Sequence, residues 1–447
     1  MATTKPPAYG KNVILELRAF NIIHPLLGLP KSPRMYRHLI TVLVVYLVMT
    51  MYSSYAQPAA ADTAAKALPV VVGFYNLENL FDTINNPLVD DEEFLPQSPK
   101  LYNTKKYMDK VGRMASIIRQ IGTQYNPDGV ALLGCVEVEN DTALTDLILH
   151  DSLIDRSYQY AHINSPDPRG IDVALLYNPS YFRVIKKEAL PVKLPSNYPT
   201  RDILDVEGLL LGDTVHVLIN HWPSRRSSTN VDANIKQGEY RRTNDGRGGG
   251  FVSSGGVGDQ GLGGLNNNNR RFMGDASTGT RFQESLNTDG EEATRHLRMA
   301  AAAVCRKRVD EIMAANPQAR IIIMGDLNDD PTSASLTAGL KVQTSLKKIT
   351  PKDLFNPWAE ILSKGYGTLA FQGKWNLFDQ IIFSTSMLNT SNNLLLYRNH
   401  IFLNDDMINK TGNYKGYPKR TWIGDEYNYG YSDHLPVYSV LLKRLAQ

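Results

Sequence analysis

Cysteine is nearly absent from this 447-residue chain, with only Cys135 and Cys305 present. A disulfide framework and a thiolate zinc site both need more sulfur than that and are excluded. One bridge between the pair stays open, but each lies in an apolar run where cysteine is ordinarily a free core residue. No cysteine stands directly after the N-terminal apolar run, which argues against a lipid anchor there, and no apolar aromatic hairpin of the kind that enters a lipid surface stands out. A sustained excess of one charge is missing as well. The formal net charge is +3. Residues 1 to 56 carry Lys5, Lys11, Arg18, Lys31, Arg34 and Arg37 against Glu16, so without them the charge falls by roughly five units to about −2. A general electrostatic footprint for nucleic acid is therefore lacking, and a nucleic-acid partner would need a local basic groove.

Long hydrophobic stretches are lacking except at Leu39 to Met51, a run of roughly a dozen residues preceded by Lys31, Arg34, Arg37 and His38. This is too short for a membrane span and fits a secretory signal. Small residues at Ser54 and Ala56 predict cleavage after Ala56, so residues 35–56 are read as a signal peptide that starts at Met35. Residues 1–34 read as an over-extended reading frame, the alternative being a cytoplasmic tail before a signal anchor. The mature protein is expected to be exported, periplasmic or secreted, monomeric, and without a stable membrane span.

After an Ala/Pro-rich linker (57–69), short apolar runs alternate with helical patterns, which predicts a layered α/β catalytic domain over 70–447. Strands are expected at Val70 to Tyr75, Gly129 to Val136, Ile171 to Tyr177, Leu204 to Leu211, Thr214 to Ile219, Arg320 to Met324, Leu377 to Ser384 and Leu435 to Leu442. Helices are expected at Thr104 to Ile121 and Glu291 to Ala315. Between about 227 and 290 the apolar periodicity stops and Gly, Asn, Ser and Arg dominate. That composition buries too little apolar surface to offset its ordering entropy, so a flexible surface insertion is expected.

Polar residues stand at the ends of six apolar strand runs: Asn76 and Glu78, Glu137 and Glu139, Asn220 and His221, Asp326 and Asn328, Asp379, and Asp433 with His434. One polar strand end is usually just the start of a loop; six ask for a common cause. The set is rich in oxygen and imidazole and free of thiolate, which suits Mg²⁺, with Mn²⁺ as an acceptable substitute. Glu139 reads as a residue at a helix N-terminus rather than a ligand, and Asp172 as structural. Arg169 is open between gripping phosphate and a surface ion pair.

The blocks Phe74-Tyr75-Asn76, Cys135-Val136-Glu137, Asn220-His221-Trp222-Pro223, Gly325-Asp326-Leu327-Asn328-Asp329, Asp379-Gln380-Ile381 and Ser432-Asp433-His434-Leu435-Pro436, in this order, resemble the signature of the endonuclease/exonuclease/phosphatase superfamily. The resemblance implies a four-layer α/β sandwich, two mixed β-sheets packed face to face with helices outside, and hydrolysis of a phosphoester by water. It implies Glu137 as the principal metal carboxylate, Glu78 as an accessory ligand, and Asn76 as an amide that binds phosphate or orients metal ligands. Asp326 would orient or deprotonate the attacking water, with Asn328 beside the phosphate. His434, held by Asp379, would donate to a phosphate oxygen; Asp433 would support the metal or a second histidine, and His221 would be a candidate acid for the leaving oxygen. The substrate is a phosphoester, nucleic acid within range; a lipid or inositol-phosphate esterase and a catalytically silent binding module are the rivals.

Overall fold

The computed structural model describes residues 67–195, 197–225, 276–371 and 373–445. The signal peptide, the segment before it, most of the linker and the insertion up to residue 275 lie outside the described residues. Among the described residues seventeen strands follow in chain order: β1 Ala67–Leu80, β2 Val130–Val138, β3 Gln159–Ile163, β4 Asp172–Tyr177, β5 Phe182–Leu190, β6 Ile203–Leu210, β7 Asp213–His221, β8 Arg320–Asp326, β9 Val342–Gln343, β10 Leu354–Phe355, β11 Leu369–Phe371, β12 Lys374–Asn376, β13 Asp379–Ser384, β14 Leu394–Ile401, β15 Trp422–Ile423, β16 Glu426–Tyr427 and β17 Val437–Arg444. The α-helices are α1 Thr104–Gln120, α2 Asp141–Leu149, α3 Ala276–Ala315 and α4 Trp358–Ser363.

Two large mixed sheets form the body: a six-stranded sheet in the order β14-β17-β1-β2-β4-β3 and a seven-stranded sheet in the order β5-β6-β7-β8-β13-β10-β9. Alternation of side chains along each strand assigns the layers. Val70, Val72 and Phe74 of β1 pack with Val217 and Ile219 of β7, Ile322 and Met324 of β8, and Ile381 and Phe383 of β13 in one core between the sheets. Val71 and Tyr75 turn the other way, against Val111, Met114 and Ile118 of α1 and Leu144 of α2. Ile321 and Ile323 turn outward under Ala301, Cys305 and Val309 of α3. The order is helix, sheet, sheet, helix, which is the four-layer sandwich. Central strands buried on both faces explain why β1 and β8 read as continuous apolar runs rather than alternating ones. At Gly134, a side-chain Cβ would come within 2.6 Å of Met324 Sδ, so glycine lets the two sheets approach there.

Cys135 and Cys305 are both buried and free, and they lie in different cores, on the outer faces of opposite sheets. The helix expected from Glu291 starts at Ala276, so the last part of the stretch read as insertion is helical. Strands β3, β5 and β14, and the short strands β9 to β12, β15 and β16, were not anticipated; β5 is an edge strand with Arg183, Lys186 and Lys187 exposed, and its apolar alternation is hidden by that charge. Among the described residues, no helix is long and apolar enough to cross a membrane.

Candidate active site

Strand direction gathers the site. β1 runs parallel to β2 and β7 runs parallel to β8, so the C-terminal ends of all four reach one edge of the sandwich. β13 and β17 run antiparallel to β8 and β1, so their first residues start from that same edge. In register, Asp326 stands beside both His221 and Asp379. Gly325 permits this: a Cβ there would sit 2.2 Å from the Asn220 carbonyl oxygen. His434 is tied on by an isolated bridge to Leu369.

Three candidate residues hold left-handed backbone that L side chains seldom adopt: Glu78 (φ 49°), Glu137 (φ 59°) and Asn328 (φ 50°). Such conformations cost about 1–3 kcal/mol each and persist only where the surroundings enforce them. At Glu137 the β1–β2 and β2–β4 registers both shift, a bulge that re-aims its carboxylate.

Asn76 joins the two sheets. Its Nδ2 donates to Glu137 Oε1 and to Asp326 Oδ2, each at 3.1 Å. Its Oδ1 accepts from the Glu78 backbone N–H at 2.9 Å, which fixes the orientation of the amide. Asn76 is thus an orienter of the two carboxylates. Its Oδ1 carries this one hydrogen bond and keeps a second lone pair, the one a metal would need. Asn79 N–H donates to Glu137 Oε2 at 3.0 Å. His434 Nδ1 lies 2.7 Å from Asp379 Oδ2, and its Nε2 lies 3.8 Å from Asp326 Oδ2. His221 Nε2 lies 3.8 Å from both Glu137 Oε1 and Asp326 Oδ2. Asn328 gives its backbone N–H to Asp326 Oδ1 at 3.0 Å and its side-chain amide to the Trp222 carbonyl at 2.9 Å.

The charges follow from burial and neighbours. Burial and the nearby Asp379 push Asp326 up to about 7, against the pull of His434. Burial alone would lower His434, but the carboxylates of Asp379 and Asp326 outweigh it and hold the ring well above the usual histidine value. Burial, with Arg201, Arg169 and His434 close by, holds His221 well below that value. These directions favour the protonated ring at His434 and the neutral ring at His221. A neutral ring lends an N–H or a lone pair, which bears on the expected role of His221 as the acid.

Two expected ligands go elsewhere. Glu78 accepts from the Thr421 backbone N–H at 2.7 Å and from Arg420 at 3.3 Å, and Asp433 pairs with Arg420 at 3.0 Å. Among the described residues, the acid and histidine groups able to converge on one ion are Glu137, His221 and Asp326, and Asp326, Asp379 and His434; Glu78 and Asp433 are in neither. Arg169 pairs with Asp167 at 3.2 Å while keeping about two fifths of its side chain exposed. Glu139 accepts from the Asp82 backbone N–H at 2.7 Å just ahead of α2, whose N-cap is Asn140. Asp172 holds His162 and the Ser165 backbone N–H, a structural role.

Several supporting residues gave no sequence signal. Arg201, fully enclosed, bridges Asp167 (2.9 Å) and the Trp222 carbonyl (2.7 Å). Buried Lys110 donates to the Glu78 carbonyl at 2.5 Å and to Thr421 Oγ1 at 2.9 Å. Ser432 Oγ donates to the Asn76 carbonyl at 2.8 Å and accepts from the His434 N–H at 3.0 Å.

The donor set fits a hard divalent cation: two carboxylates and a neutral imidazole converge, no thiolate is near, and Asn76 aims both carboxylates the same way.

Among solved structures, an endonuclease/exonuclease/phosphatase family protein from Bacteroides thetaiotaomicron is 14% identical with a TM-score of 0.44, over 85% of this chain and 100% of that one. A mannosyl-6-phosphatase of the same organism is 14% identical, TM-score 0.43, over 83% and 99%. The human Nocturnin catalytic domain with bound sulfate is 12% identical, TM-score 0.41, over 83% and 94%. No curated protein sequence matches the chain. The model of the Endonuclease/Exonuclease/phosphatase family matches residues 71–237 and 283–443, and between those limits it skips only residues 238–282 in the Gly/Asn-rich stretch. With both sheets and every strand-end cluster inside that match, the chain belongs to the endonuclease/exonuclease/phosphatase family.

Proposed function

We propose that this chain is an exported, Mg²⁺-dependent phosphoester hydrolase, with Mn²⁺ able to replace Mg²⁺. The observation that carries this reading is the convergence of Glu137, His221 and Asp326 with Asp379 and His434, from both sheets, on one edge. Glu137 and Asp326 would hold the cation, with His221 beside them and Asn76 as orienter. Bound there, the cation would neutralise phosphate charge and lower the cost of the developing negative charge.

The residues divide the remaining work. Asp326 accepts the proton of the attacking water, whose oxygen bonds to phosphorus as the ester P–O bond breaks. His434, kept protonated by Asp379 and Asp326, donates a hydrogen bond from Nε2 to a phosphate oxygen as charge builds. Asp379 fixes the ring, because its contact to Nδ1 leaves Nε2 facing Asp326. His221 contributes a neutral N–H near the departing oxygen, which takes its proton from solvent. Arg169 supplies a guanidinium edge to the phosphate, and Asn328 remains beside the same position through its second amide N–H.

A chelation and repletion assay on p-nitrophenyl phosphate and bis(p-nitrophenyl) phosphate tests the reading. Activity is expected to vanish in EDTA and to return with Mg²⁺ or Mn²⁺. Absence of turnover on any ester with either metal would favour the silent binding module. Export rests on the signal-like segment and is tested by N-terminal sequencing of periplasmic or secreted material, where a start near Gln57 is expected.

A further inference from the structure

Strand β1 does not run on smoothly past Asn76. Between the pairs Asn76↔Val136 and Leu80↔Val138, β1 advances by four residues while β2 advances by two, so the stretch between them bulges. Two neighbouring residues of the bulge, Glu78 (φ 49°) and Asn79 (φ 59°), are both left-handed. Their backbone N–H groups turn toward the site: that of Glu78 donates to Asn76 Oδ1 at 2.9 Å, and that of Asn79 to Glu137 Oε2 at 3.0 Å. Through the first contact the turn also aims the Asn76 amide, whose Nδ2 holds Glu137 and Asp326. The direction of the Glu137 carboxylate thus depends on a turn whose backbone conformation is unfavourable by itself.

The support for that turn lies behind it. Lys110 is fully buried, on the face of α1 that carries Tyr107, Val111 and Met114. Its Nζ donates to the Glu78 carbonyl at 2.5 Å and to Thr421 Oγ1 at 2.9 Å. Thr421 is fixed in turn, its Oγ1 donating to the Tyr431 carbonyl at 2.9 Å and its backbone N–H to the Glu78 carboxylate at 2.7 Å. The peptide group between Glu78 and Asn79 is therefore held at both ends, its carbonyl by Lys110 and its N–H by Glu137.

We propose that Lys110 is a positioning residue for the metal site, acting on Glu137 through the peptide group that joins Glu78 to Asn79. The proposal rests on the reading above in taking Glu137 as a carboxylate that holds the cation. A charge-assisted bond to the carbonyl fixes the plane of that peptide, and so the line along which its N–H meets Glu137. It also polarises the amide, which makes the N–H a stronger donor to the carboxylate. Packing does not explain a lysine at this place, because a methionine would fill much the same space without the cost of burying a charge. Both oxygens that Nζ holds are uncharged, so a direct ion pair does not account for its burial either.

The test reads affinity for metal as well as rate. Mn²⁺ is titrated calorimetrically, without substrate, into the full chain as parent and as Lys110→Met, which keeps the bulk of the side chain and removes the donor. The half-saturating Mg²⁺ concentration and kcat are measured on p-nitrophenyl phosphate, with thermal unfolding alongside. The Kd for Mn²⁺ and the half-saturating Mg²⁺ concentration are both expected to rise at least about tenfold, the usual scale for losing a group that orients a metal ligand. The kcat at saturating Mg²⁺ is expected to change less than either, because the bound cation itself draws Glu137 into place. A merely structural role would lower the melting temperature and leave both metal constants where they were, and that result overturns the proposal. If Lys110→Met does not fold, Thr421→Val and Thr421→Ser decide, since only the second keeps the hydroxyl that anchors Nζ. Weaker Mn²⁺ binding in the valine variant than in the serine variant supports the proposal, and equal binding overturns it. Where the parent binds Mn²⁺ but cleaves no ester, the hydrolase reading fails and the Mn²⁺ titrations alone decide. A parent that binds no Mn²⁺ overturns the proposal outright.

Discussion

His434 Nδ1 lies 2.7 Å from Asp379 Oδ2, although His434 leads into a strand of the six-stranded sheet and Asp379 begins a strand of the seven-stranded one. The contact is a clamp between sheets as well as a charge pair. If its task is to hold and protonate the ring, the two residues act as one unit. Asp379→Asn and His434→Ala should each lower kcat by at least about a hundredfold. The double variant should cost far less than the product of the two losses. Steady-state kinetics on the four proteins of the cycle checks this, and multiplicative losses would separate the residues.

The pH profile should carry two limbs. Asp326 works as carboxylate, and burial with Asp379 nearby pushes it up to about 7, so kcat/KM should climb as pH rises toward that value. His434 works as imidazolium, and its raised value places the decline well above the ordinary histidine range. A cation beside Asp326 favours the ionised form, so the acid limb should move to lower pH as Mg²⁺ is raised. In Asp326→Asn the residual rate should lack that limb. Profiles at two Mg²⁺ concentrations provide the check.

Glu139 gives a prediction about stability. Burial, together with Asp82, Asp91 and Asp172, pushes its carboxyl up to about 8, against an ordinary unfolded value near 4.5. Between those values the folded protein holds a proton that the unfolded chain has released, so this residue costs stability progressively as pH rises through the window. Glu139→Gln keeps an oxygen for the Asp82 N–H and removes the ionisation. Its melting temperature relative to the parent should therefore be more favourable at pH 8 than at pH 5. A difference independent of pH would contradict the assignment.

The Gly- and Asn-rich composition before residue 276 predicts that proteolysis cuts between residues 226 and 275 first. The two pieces should stay together, because β7 and β8 pair side by side from Val215↔Arg320 to His221↔Asp326 across the cut. Gel filtration of the nicked protein should give one peak. Separation of the pieces would show that the connection itself holds the sheets.

Residues that follow an apolar strand run were legible in the sequence, because the run fixes the direction of the chain and the first polar residue marks the sheet edge. That is why Glu137, His221, Asp326 and Asp379 could be picked out, while the strand pattern gave only a layered α/β architecture and the four-layer order came from the family resemblance. Arg201, Arg420 and Lys110 could not be picked out. A lone basic residue in a loop or on a helix has no periodicity, and its meaning appears only when tertiary contacts bring a carboxylate or carbonyl to it. The same gap hid the partners of Glu78 and Asp433, which stand against Arg420 and Thr421 and outside the two carboxylate–histidine clusters. The protonation of the two histidines was equally hidden, since it depends on which neighbours are carboxylates and which are guanidinium groups.

The most direct test of the account is hydrolysis of bis(p-nitrophenyl) phosphate and p-nitrophenyl phosphate by the parent and by Asp326→Asn, each stripped with EDTA and reloaded with Mg²⁺, with thermal unfolding measured in parallel. Asp326 meets Asn76, and lies near His221 and His434, at the centre of the cluster. The account predicts a metal-restored rate in the parent, a loss of at least about a hundredfold in the variant, and folding preserved. Equal rates in the two proteins, or a parent rate indifferent to chelation, would contradict it.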